Sequence, residues 1–396
     1  VLPRRAQDLE ALVRARLLEQ VGDGGHQRDL WCRAVSVEVI PVRSRRDLAR
    51  FIRLPERIYR NEPRWVPSLR FERRRFLDRS RNPFFEHAEA EYLMAWRDGL
   101  PVGRISAHVD RNLNDFHDNR WGLFGFFECE EDPEAAGGLL AASERWLAER
   151  GCDRALGPSS LSLNDECGVL VEGHEHDPLI QQPWTHRYYT GLLEQAGYAK
   201  AIDLLMWSLW VSDRDKVLPI VFELAEKLEP EHGITIRHLN KRDLEAEARR
   251  FVDVYNAAWK DNWGFVPLSY REMIHTAKEN RLLLDPNWMM FAEKDGETVA
   301  AALTVPDFNQ VLRKLDGRLL PFGWLKALWG RRRIDRVRVG FLGVRPEYQH
   351  TGVAAGLYAE HFEMAARTPQ KGGEMGWILE TNTAMNRAME AMGGEI

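Results

Sequence analysis

VRVGFLGVRPEYQHTGVAAGLYAEHFEMAA, running from Val337 to Ala366, is the stretch on which the reading of this chain turns. Val337 to Val344 reads as a buried strand, and from Gly352 onward the apolar positions recur at helical spacing. Between them Arg345 to Thr351 is short and polar, and Pro346, with no N–H to donate, closes the strand. A strand therefore feeds straight into a helix. The first turn of a helix leaves backbone N–H groups unpaired and carries the positive end of the helix dipole, so such a junction favours an anion, phosphate above all. Gly352 and Ala354 keep side chains small where phosphates would touch the backbone.

Outward from this stretch the chain repeats itself. Val37-Glu38-Val39 followed by Arg46-Asp47-Leu48 recurs as Ile234-Thr235-Ile236 followed by Arg242-Asp243-Leu244. Trp65-Val66-Pro67 recurs as Phe265-Val266-Pro267, and Asp98-Gly99 with Asp110 and Asn112 as Asp295-Gly296 with Asp307 and Asn309. Gly125-Phe126-Phe127 recurs as Gly340-Phe341-Leu342, and Gly197-Tyr198 as Gly393-Gly394. Order is kept at a shift of about 200 residues, which means a duplicated domain and not a short-period solenoid. Each copy reads as a strand, one or two helices, a hairpin with an Asp-Gly turn, then strand, helix, strand, helix.

The segment Val344-Arg345-Pro346-Glu347-Tyr348-Gln349-His350-Thr351-Gly352-Val353-Ala354 resembles the acyl-CoA loop of the GNAT acetyltransferase superfamily, V-x-P-x-x-Q/R-x-x-G-x-G/A. The resemblance implies an α/β fold with a mixed sheet, in two tandem copies. Residues 1–34 would form an N-terminal helical extension, with a helix from Leu9 to Val21; 35–212 a degenerate GNAT-like domain; and 213–396 the domain that binds acyl-CoA. It implies acetyl-CoA or another acyl-CoA as co-substrate, held by Leu342, Val344, Gln349, His350, Thr351, Gly352, Val353 and Ala354. The corresponding loop of the first copy, FECEEDPEAAGG from Phe127 to Gly138, is three residues shorter and carries Glu128, Glu130, Glu131 and Asp132. Carboxylates there repel a pyrophosphate, so the first copy is expected to supply core and part of a substrate cleft.

The same resemblance implies direct transfer of an acyl group, acetyl in the first instance, to an amine or hydroxyl of a small-molecule or peptide acceptor. Backbone N–H groups near Leu342 and Val344 would polarise the thioester carbonyl. The end of the chain resembles the GNAT N-x-x-A-x-x-x-Y-x-x-x-G-F helix, with Asn382 and Gly393 in place. Met385 replaces its small residue, and Met389 stands where the family has the Tyr that protonates the leaving thiolate; a thioether donates no proton. Glu380 is the expected base, with Asn382 as its catalytic neighbour. Trp259, Asn262 and Trp263 follow the first helix of the second copy, where the family builds its acceptor site; filling of the core by the two tryptophans is the other reading. A GNAT domain carries a further strand or two after its last helix, so the reading leaves the C-terminal sheet edge incomplete. The alternative function is a catalytically inactive acyl-CoA sensor or scaffold.

The remaining features bound these readings. A net charge of -5 gives no global electrostatic case for nucleic acid. Four scattered cysteines, without a C-x-x-C pair, argue against a zinc site and suit a reducing cytoplasm. No apolar run is long enough to span a bilayer, and no signal peptide is visible. His174-Glu175-His176-Asp177 is a loop run of neighbouring residues, which rarely converge on one metal ion, so no metal is expected. Arg64 to Arg81, with Arg70, Arg73, Arg74, Arg75, Arg79 and Arg81, reads as a solvated basic face, a patch for an acidic substrate being the other reading. Val311 to Arg333, VLRKLDGRLLPFGWLKALWGRRR, is an insertion of the second copy, expected to form a short helix that caps the domain by burying its Trp side chains. A substrate lid and a lipid- or peptide-binding surface are the other readings of its mixture of bases and aromatics.

Overall fold

The computed structural model describes residues 37–281 and 283–396; the 1–34 extension and the helix expected between Leu9 and Val21 lie outside them. The first half runs β1 (Glu38–Pro41), α1 (Arg45–Ile58), α2 (Arg70–Phe76), β2 (Ala88–Arg97), β3 (Leu100–Asp110), α3 (Arg111–His117), β4 (Trp121–Cys129), α4 (Pro133–Ala148), β5 (Arg154–Leu156) and α5 (Tyr188–Gln195). A strand and a helix follow, β6 (Leu204–Trp210) and α6 (Pro219–His232). The second half then repeats the order with β7 (Thr235–His238), α7 (Leu244–Trp259), α8 (Tyr270–Glu279), β8 (Met289–Lys294), β9 (Glu297–Pro306), α9 (Asn309–Leu312), α10 (Gly323–Gly330), β10 (Arg336–Val344), α11 (Val353–Arg367), β11 (Gly372–Leu379) and α12 (Thr383–Ala391).

Local chemistry sets these boundaries. Both hairpins turn on Asp-Gly pairs with positive φ at both residues, 53° and 74° at Asp98-Gly99 and 51° and 82° at Asp295-Gly296, the mirror-image turn that matches strand twist. Helices α1 and α8 begin with reciprocal caps, Ser44 with Asp47 and Ser269 with Glu272. Each half is a sheet between two helical layers. In the first, Phe51 and Leu54 of α1 meet Tyr92 and Met94 on one face, and Leu139 and Leu140 of α4 meet Ile105 and Phe127 on the other. In the second, Phe251 and Tyr255 of α7 meet Phe291 and Phe341, while Val353 and Leu357 of α11 meet Ala292 and Leu342.

The sheets have the orders β1-β2-β3-β4-β5 and β6-β11-β10-β9-β8-β7. Strand β6 thus leaves the first half and pairs antiparallel with β11, from Gly372 opposite Trp210 to Leu379 opposite Leu204. The division expected between residues 212 and 213 falls after β6, so the hydrogen-bonding assigns to the second sheet a strand that the sequence reading placed in the first domain. The edge that the reading left incomplete is occupied by β6. The insertion also departs from expectation. Val311, Leu315 and Ile334 form a small core with Leu69, Phe308 and Ala327, but Trp324 and Trp329 are exposed instead of buried beneath a cap. Among the described residues no helix is long and apolar enough to cross a membrane.

The two halves are joined through polar contacts. His117 lies 2.8 Å from the carbonyl oxygen of Phe265, Tyr255 donates to Asn164 at 2.6 Å, and Arg313 pairs with Asp177 at 2.9 Å. His87 is gripped from both sides: Nδ1 is 2.9 Å from Asp110 of its own half and Nε2 3.0 Å from Glu272 of α8. Burial alone would lower its pKa, but the two carboxylates outweigh it and raise the ring to about 9. Because the folded value exceeds the ordinary one, the charged ring stabilises fully below about pH 6.5 and this contribution is lost as pH rises through about 9. Replacing His87 by Gln should cost about 3 kcal/mol near pH 6, and the deficit should shrink towards pH 10. Urea unfolding at both pH values measures it; an equal deficit at each would remove the charge from the account.

Candidate acyl-transfer site

Strands β10 and β11 run parallel and pair only from Arg336 opposite Gly372 to Val339 opposite Met375. Beyond that point β11 keeps only its pairing with β6, and β10 stays with β9 through a bulge between Val339 and Phe341. The strands therefore part, leaving a wedge in the sheet. The N–H of Arg345 donates to Val299 at 2.9 Å, so in this antiparallel ladder Arg345, Gly343 and Phe341 face β9. The backbone groups of Leu342 and Val344 face the wedge. Their side chains sit in the core against α11.

At the head of the wedge, residues 346–351 form a 3₁₀ turn into α11. Gln349 and His350 are exposed, whereas the Thr351 hydroxyl turns inward and donates to Tyr348 O at 2.7 Å. Gly352 has φ of +77°, which favours glycine. A Cβ there would also meet Leu224 of α6 at 3.2 Å, so its small size serves the packing of α6 on α11 as well as any ligand. Val353 is buried in the core and Ala354 lies at its margin. Among the described residues no side chain caps α11. The equivalent helix of the first half, α4, is capped by Asp132, which accepts from the N–H groups of Glu134 and Ala135 and is itself held by Arg97 at 2.8 Å. One copy has filled its anion position with its own carboxylate, and the other has left it open.

The wedge shows the same division. Gly125 of β4 and Gly340 of β10 are counterparts in the repeat. A Cβ on Gly125 would stand 1.6 Å from the carbonyl oxygen of Ser159, because the chain after β5 folds back into the space between the strands. A Cβ on Gly340 would meet nothing closer than Leu303 O at 3.8 Å. The first half is plugged by its own backbone, and the second is open.

On the face of the wedge away from α11 lies a polar group that the sequence reading missed. Arg338 and Glu374 are register partners on β10 and β11. Arg338 is 4% exposed, donates to Ile180 O at 2.7 Å, lies 4.7 Å from the centre of the Trp377 ring, and has a buried Nε with no partner among the described residues. Burial lowers its pKa to about 10, against the raising pull of Glu166 and Glu374, so it is charged at neutral pH. Glu374 accepts from Gln182 Nε2 at 2.8 Å, and burial, only partly offset by that bond, raises its pKa. Gln182 is oriented in turn by the Leu179 N–H, 2.8 Å from Oε1. Residues 178–182 are anchored by Asp307, which accepts from Ile180 N–H at 3.1 Å and pairs with Arg336 at 2.8 Å. The first half thus supplies one wall. The signal available in the sequence was a charge placed inside each of two apolar strands.

The other expected residues are more scattered. Glu380 lies past the end of β11 on the β6 side, accepting from Asp203 N–H at 3.0 Å and standing 3.6 Å from Lys200. Asn382 caps α12 by accepting from Met385 N–H at 3.1 Å. Both side chains are thus occupied at a chain turn instead of reaching the wedge. Met389 is fully buried in the core, and the hydroxyl of buried Tyr358 contacts the sulfur of Met385 at 3.3 Å. Trp259 packs on Phe341 at 4.7 Å, beside the wedge, while Trp263 lies 6.5 Å from Trp121 at the seam between the halves. Asn262 forms the turn between them, its carbonyl accepting from Phe265 N–H at 3.2 Å. The His174 to Asp177 run splits: His174 is buried against Trp184, His176 is exposed, and Asp177 pairs with Arg313.

Comparison with known proteins gives a consistent fold and a sharper relationship. No protein-family model matches the chain. It is 34% identical over 365 residues to the bacterial ceramide synthase of Caulobacter vibrioides (strain NA1000 / CB15N), a match covering 90% of this chain and 94% of that protein. It is 33% identical over 360 residues to protein YghO of Escherichia coli (strain K12), covering 89% and 91%. Among solved structures, a tandem GNAT protein from the clavulanic acid biosynthesis pathway aligns over 91% of this chain and 95% of its own, with a TM-score of 0.54 at 13% identity. The fold is the tandem GNAT fold.

Gly125→Ala should lower stability by at least about 3 kcal/mol, since a methyl group cannot share space with the Ser159 backbone, whereas Gly340→Ala should change it by no more than about 1 kcal/mol. Thermal and urea unfolding of the two variants compare the plugged and open wedges directly; equal losses would mean that the second wedge is closed as well.

Proposed function

Since this chain belongs to the same family as the bacterial ceramide synthase of Caulobacter vibrioides, we propose that it joins a fatty acyl group, delivered as an acyl-CoA thioester, to the primary amine of a long-chain amino alcohol. The observation that carries this reading is the extent of the likeness: the match covers 90% of this chain and 94% of the relative, so both halves are shared. A ceramide is the amide of a fatty acid with such an amine, so its synthase must form a C–N bond at an acyl carbon. That likeness favours a long acyl chain over the acetyl group first expected.

In this reading the pyrophosphate of the co-substrate lies against the open N-terminus of α11, with Gln349, His350 and Gly352 around it. The thioester carbonyl accepts from the N–H groups of Leu342 and Val344, which strengthen as charge develops on oxygen. The amine enters from the opposite face, past Trp259 and Trp377. It attacks the carbonyl carbon, the C–S bond breaks, and CoA leaves as thiolate. The proton released by nitrogen goes to Glu374, directly or through one water, and from there to the thiolate or to solvent. Arg338, fixed by Ile180, offers its unpartnered Nε to an oxygen of the acceptor. Glu380 and Asn382 act structurally.

The test is CoA release and amide formation from palmitoyl-CoA and sphinganine by the full chain. Glu374→Gln should lower kcat by about 10²–10³-fold with little change in KM for the thioester, and should remove the rise in rate with pH that ionisation of a raised carboxyl imposes. Glu380→Gln should leave the rate within about two-fold. Wild-type activity in the Glu374 variant would move the base elsewhere, and a folded protein that neither binds nor consumes acyl-CoA would sink the acyltransferase reading.

A further inference from the structure

We propose that the insertion between β9 and β10 is a membrane-docking surface, seating this protein on bilayers that carry anionic phospholipid. The inner side of the insertion is already satisfied by the core of Val311, Leu315 and Ile334. What remains points outward: Leu320 is 77% exposed, Phe322 69%, Trp329 73%, and Trp324 and Leu328 about half. Helix α10 (Gly323–Gly330) has no buried residue at all. With Leu325, six large apolar side chains exposed within ten consecutive residues form a patch, not the scattered exposure ordinary for a soluble surface.

The charges around this patch identify its partner. Residues 311–335 hold seven basic and two acidic side chains, a local +5 in a chain whose net charge is -5. Arg313 pairs with Asp177, but Lys314, Arg318, Lys326, Arg331, Arg332 and Arg333 are all exposed and make no ion pair among the described residues. Most other basic side chains near the seam are neutralised, as Arg70 is by Glu56 and Arg271 by Glu86. Trp, Phe and Leu projecting from a collar of unpaired Lys and Arg fit the boundary of a bilayer, where rings and aliphatic chains enter the acyl region and the bases meet lipid phosphates. The surface extends onto α2, whose Arg70 N–H donates to Gly317 O at 3.1 Å and whose Phe71 and Arg74 are exposed beside it. The insertion leaves the sheet at the Arg336 end of β10, opposite the loop at the head of α11, so docking leaves that loop free.

This inference stands apart from the acyl-transfer reading, because its test reads binding alone. The full chain is sedimented with large vesicles of phosphatidylcholine, with and without phosphatidylglycerol, in low and high salt. Wild type should bind the anionic vesicles at least about ten-fold more tightly than the neutral ones and should be released by salt. Phe322→Ser/Trp329→Ser should lose that binding, and Arg331→Glu/Arg332→Glu/Arg333→Glu should lose its dependence on anionic lipid, with unfolding curves matching wild type in both. No preference for anionic vesicles, or unchanged binding in the two variants, overturns the proposal. So does sedimentation velocity showing that the same patch pairs two copies of the chain and that the serine variant separates them.

Discussion

Two parallel strands in one sheet can part only if the backbone groups they release find other partners. Here β11 leaves β10 after Met375, and it can do so because β6 is already paired along its other edge. That strand comes from the first half, so the opening in the second half depends on the duplication. Without β6, β11 would present two open edges over part of its length, an arrangement that buried backbone does not tolerate. The bulge at Gly340 completes the geometry by turning Leu342 and Val344 towards the opening while β10 keeps its ladder with β9.

The two copies then diverge by simple physical means. In the first, Asp132 occupies the head of α4 and the backbone at Ser159 occupies the space beside Gly125, so both features are satisfied internally. In the second, both are left open, and the first half returns as a wall through Ile180 and Gln182. A wedge assembled this way has buried charge on one face, Arg338 with Glu374, and an apolar core on the other.

The seam between the halves combines a small apolar cluster, Leu113 and Leu123 with Val266, with polar contacts in which His87, Asp307 and Asn164 each reach across or anchor a segment that does. Buried polar contacts of this kind specify one relative placement, since any shift strands a charge. That precision matters where one half supplies strands and the other supplies the residues facing them.

Much was legible before any coordinates. The Asp-Gly turns, the strand and helix of 337–366, the duplication and the fold class rest on relations within a few residues or on repetition, and the structure keeps them all. The departures share a different cause. Which sheet β6 joins, whether a wedge is filled by its own loop, that Glu380 is engaged by Asp203 on the β6 side, and that Trp324 and Trp329 stay outside all depend on which distant segment arrives at a given edge. A sequence states what each strand edge and carboxylate requires. Only the tertiary structure decides which distant residue meets the requirement, because pairing across some two hundred residues leaves no trace in local periodicity.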